Sequence, residues 1–275
     1  MSNTVIDLKN VRHSYNLGTP IAREVLSSVN IQISRGESVG IIGVPGSGKT
    51  TLAMLMAGLE KPTSGSLKTP GLGVGKVGLV FQFPEHQIFG KTVFDDITYP
   101  LREVLDLPSE EIETIYNDAC KKVDLNADLV REIKPLEMSG GERRRVAIAG
   151  ILVMNPEVLI FDEPTAGLDQ DGQDIILDEI GRLSTEGKTI IIISHDMGNL
   201  LYNTKRFILI EEGMVADDGP VREVLQKLSE REDKLSMLPF ITELMVKLNE
   251  KGLNVRRDIF DPEEAFSEIM KALKV

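Results

Sequence analysis

Residues 43–50, Gly43-Val44-Pro45-Gly46-Ser47-Gly48-Lys49-Thr50, fill every fixed position of the phosphate-loop pattern G-x-x-x-x-G-K-[ST]. The pattern constrains the fold because its mechanics need a strand before it and a helix after it. Both are present: Ser38 to Ile42 is a short apolar run suited to a buried strand, and Leu52, Leu55 and Met56 recur at helical spacing behind the loop. The glycines let successive backbone N–H groups converge on an anion, and the helix N-terminus reinforces them. In that frame Lys49 reaches the terminal phosphates of a nucleotide, and Thr50 offers a hydroxyl to a divalent cation. A plain glycine-rich turn is the alternative, and the complete pattern with both flanks outweighs it.

The rest of the chain supplies an α/β frame. Lys76 to Phe81, Val158 to Phe161 and Thr189 to Ile193 are further near-continuous apolar runs, rich in β-branched residues, as fully buried parallel strands are. Residues 29–34 alternate Val29, Ile31 and Ile33 with polar neighbours and read as a half-buried strand. Residues 92–137 break this alternation. Pro108 and Ser109 open a helix with Glu110 and Glu111 in its first turn and one face of Ile112, Ile115, Tyr116 and Ala119. The region reads as a helical subdomain, about residues 90–150 once the helix after Ser139 is included. Phe207 to Ile210 and Met214-Val215, joined by Glu211-Glu212-Gly213, suggest a closing hairpin. Beyond Asp218 the pattern turns helical. One helix carries Ile241, Leu244, Met245 and Leu248 and stops at Gly252, and another starts at Asp261-Pro262 with Glu264 completing a capping arrangement. The domains expected are therefore 1–218 and a helical extension, 219–275, whose apolar stripe is expected to serve dimer contacts, the alternative being that it packs on its own core. A chain of 275 residues is long enough for such a core plus a lobe and a tail.

Two acids follow the strand Val158 to Phe161. Asp162, leaving a buried strand beside a phosphate loop, suits Mg²⁺, and Glu163 suits polarisation of an attacking water. Ser139-Gly140-Gly141-Glu142 is, by itself, an ordinary helix capping box. The two glycines expose amides at that helix N-terminus and make a second anion cradle, useful if it closes on a nucleotide from another subunit.

Taken together these motifs resemble the ABC ATPases from about residue 5 to 218, in that family's order: the phosphate loop, Gln82 after a strand, Ser139-Gly140-Gly141-Glu142, Asp162-Glu163, Gly167-Leu168-Asp169 and Ser194-His195. The resemblance implies a P-loop NTPase core of ABC cassette type, with an inserted helical signature subdomain, antiparallel β elements and a small helical C-terminal extension. It implies ATP and Mg²⁺ as ligands and a head-to-tail dimer in which each phosphate loop faces the partner's signature. Carried over, Gly43, Gly46, Ser47, Gly48, Lys49, Thr50 and Thr51 hold the phosphates, and Tyr15 stacks on adenine. Thr50, Gln82 and Asp162 serve the metal. Glu163, His195 and Gln82 serve hydrolysis. Ser139, Gly140, Gly141 and Asp169 act across the interface. Met138 and Glu142 depart from the leucine and glutamine usual beside the signature serine and glycines, and neither removes a phosphate contact.

Phe81-Gln82-Phe83-Pro84-Glu85-His86-Gln87-Ile88-Phe89 and Arg144-Arg145-Val146-Ala147-Ile148-Ala149-Gly150-Ile151-Leu152 narrow the resemblance to the ATPase subunits of energy-coupling-factor importers for vitamins and transition-metal ions. That implies a second ATPase subunit, the same chain or a paralogue, a transmembrane coupling subunit and a substrate-binding membrane subunit. The segment after Gln82 is then expected to dock the membrane partner, with Glu85 facing a basic side chain; a solvated Glu85 is the plainer alternative. His86 has no neighbouring ligands at metal spacing and belongs with that surface. The other function class is a soluble ABC ATPase in DNA repair, translation or Fe–S assembly. The formal net charge of −12 speaks against nucleic acid, and Arg143, Arg144 and Arg145 read as a solvated or packing helix face. Met1 to Asp7 lack the pattern of a secretory signal, and no apolar run reaches membrane-spanning length. The expected location is the cytoplasmic face of the membrane, reached through partners. Cys120, the sole cysteine, falls among Ile112, Tyr116 and Ala119 and reads as a small buried apolar residue.

Overall fold

The computed structural model describes residues 3–73, 75–201 and 203–274. Strands β1 (Thr4–Tyr15), β2 (Arg23–Ser34) and β3 (Ser38–Ile42) lead through the glycine loop into α1 (Lys49–Met56), followed by β4 (Ser64–Lys68) and β5 (Val77–Val80). A short 3₁₀ turn, Pro84–Gln87, then opens the helical lobe of α2 (Val93–Glu103), α3 (Ser109–Lys122), α4 (Ala127–Val130) and α5 (Gly140–Leu152). The chain returns through β6 (Val158–Asp162), α6 (Gln170–Thr185), β7 (Thr189–Ile193), α7 (Met197–Leu201), β8 (Arg206–Glu211) and β9 (Met214–Pro220). Three helices close it: α8 (Val221–Ser229), α9 (Phe240–Glu250) and α10 (Pro262–Leu273).

The six-stranded sheet has the order β5-β6-β7-β3-β8-β9, parallel except for β9 against β8. Burial on both faces explains why β3, β6 and β7 read as continuous apolar runs: every residue in them is buried. One face, with Ile41, Ile160, Ile191 and Ile208, packs on α1 and on the antiparallel sheet β2-β1-β4. The other face, with Leu159, Phe161, Ile192 and Phe207, packs on helices of the lobe and on α6 and α8. Alternate residues of the same strands thus serve two cores. β3 lies between β7 and β8, so the loop leaving its C-terminal end sits centrally, where ligands collect in parallel α/β sheets.

The half-strand expected at 29–34 is the second half of a longer β2, and β1 and β4 were not among the expected strands. α3 buries Ile112, Tyr116 and Ala119 of the expected face, with Cys120 beside them, while Ile115 of that face is only half-buried. β9 continues past Asp218 to Pro220, and α8 follows at once with Val221, Val224, Leu225 and Leu228 in the lobe-side core. Farther along, Met245, Val255, Ile259 and Ala265 form a small core of the tail itself, with Ile241 and Leu248 packed against it. Leu244 stays exposed, as do Phe240 and Phe266.

Candidate active site

The phosphate loop forms a curled cradle. Gly43 is needed for close approach: a Cβ there would lie 2.3 Å from the Ile210 carbonyl oxygen and 2.8 Å from Ser47 Oγ. Gly48 caps α1 in the left-handed region, φ 106°, where a side chain would also meet Leu26 and the Val25 carbonyl. Lys49 is buried, and its Nζ donates to the carbonyls of Gly43 at 2.7 Å and Val44 at 3.0 Å. Burial lowers its pKa, against the opposing pull of the Glu163 and Asp162 charges. Ser47 Oγ is buried with no hydrogen-bond partner among the described residues. A hydroxyl left so costs about 1–3 kcal/mol, and a phosphate oxygen in the cradle removes that cost, so the loop fits its expected ligand. An adjoining cavity of 280 Å³ is lined by Tyr15, Arg23, Val25, Gly48, Lys49 and Thr51. The Tyr15 hydroxyl lies 3.3 Å from Thr51 Oγ1, and its ring meets His13 edge-on at 4.7 Å. Arg23 faces Tyr15 across the β1–β2 ladder, and no motif marks it in the sequence.

Both acids sit at the end of β6, beside Ser194 and His195 at the end of β7. Burial raises the Asp162 carboxyl pKa; a hydrogen bond with Thr50 and the Lys49 charge oppose the rise, and Glu163 adds to it. Among the described residues no group of three or more His, Cys, Asp and Glu is placed to hold a metal. One hydroxyl and one carboxylate still fit a hard cation that takes its other ligands from phosphate and water. Glu163 has φ 51°, in the left-handed region. Its Oε2 accepts from Ser194 Oγ at 3.0 Å, and its Oε1 accepts from the His195 backbone N–H at 2.9 Å and lies 2.6 Å from His195 Nδ1. Glu163, Ser194 and His195 therefore form one bonded group, in which Ser194 holds the acid although the sequence reading assigned it no role.

The signature forms a separate cavity of 560 Å³, lined by Ser139, Gly140, Gly141, Leu168, Asp169 and Ile175 among others, and by no residue of the phosphate loop. The capping box at the start of α5 is complete: Ser139 Oγ accepts from the Glu142 N–H at 3.3 Å, while Glu142 Oε2 accepts from the Ser139 N–H at 2.9 Å and its Oγ–H at 2.7 Å. These bonds lower the Glu142 pKa. Asp169 caps α6, accepting from the Gly172 N–H at 3.0 Å. A Cβ at Gly140 would meet nothing within 4 Å, and one at Gly141 only Leu168 at 3.9 Å.

Gln82 is exposed where the chain leaves β5, and its carbonyl accepts from Arg144. The basic triplet divides. Arg145 pairs with Asp124, while Arg143 lines a 680 Å³ cavity with Glu85, Ile88, Phe89 and Leu136. Arg144 is buried, with 3% of its surface exposed. Glu85 is half-buried with Oε2 out of reach of water, so a purely solvated Glu85 does not hold. The side chain of His86 lies outside what the structure describes.

A phosphate loop on a parallel sheet, two adjacent acids at the end of β6 and a second glycine cradle in its own cavity define a nucleotide-hydrolysing cassette. Comparison with known proteins places the cassette more narrowly. A family model described as ABC transporter matches residues 26–166. The chain is 40% identical to the energy-coupling factor transporter ATP-binding protein EcfA2 of Clostridium acetobutylicum, over 98% of both chains. Among solved structures, cbiO1 from Clostridium perfringens, part of the ABC transporter complex cbiONQ, matches at TM-score 0.71 and 30% identity, covering 91% of this chain and 96% of that one. The ATP-binding cassette MJ0796, in a dimeric post-hydrolysis state bound to ADP and Pi, matches at TM-score 0.69 and 29% identity over 78% of this chain and 98% of that one. The chain belongs to the ABC transporter family, as an ATPase subunit of the energy-coupling-factor type.

Proposed function

We propose that the chain binds ATP with Mg²⁺ between two cassettes and powers import of a vitamin or transition-metal ion through membrane subunits. One observation carries the shared site: Gly140 and Gly141 open a helix where no described residue would crowd a side chain. Glycine in a helix costs about 1 kcal/mol relative to alanine, so the reason for both lies outside this chain, in a phosphate brought by a partner. The separate signature cavity supports the same reading. The second ATPase subunit is the same chain or a paralogue.

In this reading Gly43, Gly46, Ser47, Gly48, Lys49, Thr50 and Thr51 cradle the phosphates, and Lys49 exchanges its own loop carbonyls for phosphate oxygens. Tyr15 supports the base. Thr50, Asp162 and Gln82 hold Mg²⁺, which when bound neutralises charge on the phosphates. Glu163 orients the attacking water and takes its proton. Ser194 and His195 fix that carboxylate in place. The partner's Ser139, Gly140 and Gly141 amides close on the terminal phosphate, and Asp169 sits beside them.

The cavity of Glu85, Ile88, Phe89 and Leu136 is where a transmembrane coupling subunit docks, and that subunit joins a substrate-binding membrane subunit. The chain then works peripherally, at the cytoplasmic face; among the described residues no helix is long and apolar enough to cross a membrane. A non-transport role in DNA repair, translation or Fe–S assembly is not favoured: the relatives named above are transporter components, and the net charge of −12 is poorly suited to nucleic acid. Glu163→Gln tests the reading. ATP binding should persist, hydrolysis should fall on the order of 10²–10⁴-fold, and an ATP-bound dimer should accumulate by size exclusion. Near-parental turnover in a membrane-free preparation would refute it.

A further inference from the structure

Arg144 is used by none of the roles above, yet it is the most deeply placed charge of the signature helix. Its Nη1 donates to the carbonyl of Ala166, in the turn that leads to Asp169, and its Nη2 donates to the carbonyl of Gln82. Two segments far apart in sequence, one beside the nucleotide and one on the dimer face, are thus held by one planar fork mounted on α5. Burial lowers the pKa of the guanidinium, and the negative charge of Glu85 opposes that. Arg144 Nε and Glu85 Oε2 are both buried without a hydrogen-bond partner among the described residues. A group whose sole task was to fill space would not be a cation with one donor left unmet, since an apolar residue of that size avoids the desolvation.

We propose that Arg144 is a positioning residue: it sets the spacing between the Gln82 segment and the Ala166–Asp169 turn, so that the loop facing the terminal phosphate and the turn facing the partner subunit move as one. The inference rests on the shared-site reading. Guanidinium geometry suits the task, because a rigid fork fixes two carbonyls relative to each other. A lysine ammonium is a single point on a flexible stem. Glu85, at the edge of the proposed docking cavity, places the same guanidinium within electrostatic reach of whatever binds there.

The experiment uses the full chain with Arg144→Met and Arg144→Lys, beside the parent and Glu163→Gln. A parent that fails to hydrolyse ATP at concentrations where it dimerises overturns the functional reading itself; the remaining outcomes concern Arg144. Expected is a fall in kcat of about 10–100-fold for Arg144→Met, as for misplacement of a site by an ångström or so. The Kd for a non-hydrolysable ATP analogue should stay within roughly threefold, because Lys49 and the cradle are untouched. Arg144→Lys should recover part of kcat. Amide hydrogen exchange should quicken in residues 82–88 and 165–169 together and stay unchanged in 43–50. An unchanged kcat in a folded variant overturns the proposal. So does a joint loss of kcat, nucleotide affinity and Tm with faster exchange throughout, which marks a plain packing role. Should Arg144→Met not fold, Arg144→Lys is read by the same measures, with exchange rising in the same two segments.

Discussion

Glu163 occupies a backbone conformation that costs a non-glycine residue about 1–2 kcal/mol, and its bonds to Ser194 and to the His195 N–H stabilise it there. The His195 ring lies over the same carboxylate but is itself exposed. His195→Ala should therefore lower ATP turnover while leaving the Kd for a nucleotide analogue near the parent's; loss of folding or of binding would make the ring structural. Cys120 is the opposite kind of residue. Burial pushes its thiol up to about 11, against 9.0 when exposed. A folded pKa above the unfolded one gives stability that is complete below pH 9 and is lost as pH rises toward 11. The thiol should be inert to a disulfide reagent at pH 8 in the native protein and react promptly in denaturant, and fast native labelling would contradict its burial. The site's chemistry was legible in the sequence where motif and flanking element agree, as at Lys49, Thr50, Asp162 and Glu163. Arg144 was not, because three consecutive arginines look alike in sequence. On a helix they point 100° apart, so one of them turns inward while its neighbours stay near solvent.

Among the elements, α2 shows how the lobe is joined to the sheet. Buried Asp96 accepts from the amides of Phe89 at 2.9 Å and Gly90 at 2.8 Å, fixing the strand-to-helix segment that follows Gln87. Gly90 is required there, since a Cβ would fall 2.5 Å from the Asp96 amide. Asp96→Ala leaves both amides without that acceptor and should destabilise the chain by about 1–3 kcal/mol in urea titration, with local exchange rising first near Phe89. An unchanged midpoint would show that water replaces the carboxylate. Strands β3, β6 and β7 were readable because both faces are apolar. β1 was not: its pairing with β2 shifts register between Leu8 and Val11 and again at His13, and Asn10 has φ 49°, so the alternation is broken where the pattern would be read. β4, Ser-Gly-Ser-Leu-Lys, has one apolar residue and gains its place only from β1.

At the scale of the whole molecule, the phosphate loop and the signature open into different cavities, so no chain completes a site alone in the proposed reading. Mixing inactive Lys49→Ala and Ser139→Arg subunits should restore part of the ATPase activity, since one of the two sites in a mixed dimer carries neither change. No recovery in demonstrated mixed dimers would argue against shared sites. The tail adds its own expectation. Its stripe divides, with Met245 inward, Ile241 and Leu248 packed against the tail's small core and Leu244 exposed, and Phe240 and Phe266 are exposed as well. We propose that this outer face contributes to association. Phe240→Glu with Phe266→Glu should leave ATP binding intact and weaken the nucleotide-free dimer by sedimentation velocity, and an unaltered dimer would confine the tail to packing on its own cassette. Removing everything after Asp218 is a poorer probe, because α8 fills the lobe-side core. The two separate cavities carry a kinetic consequence as well. Where each working site needs two chains, specific activity is not a constant of the protein: at high dilution, turnover per chain rises in proportion to concentration and levels off only as subunits pair. A membrane complex that holds two cassettes side by side removes that dependence, so the same polypeptide is nearly idle when dispersed and active when tethered.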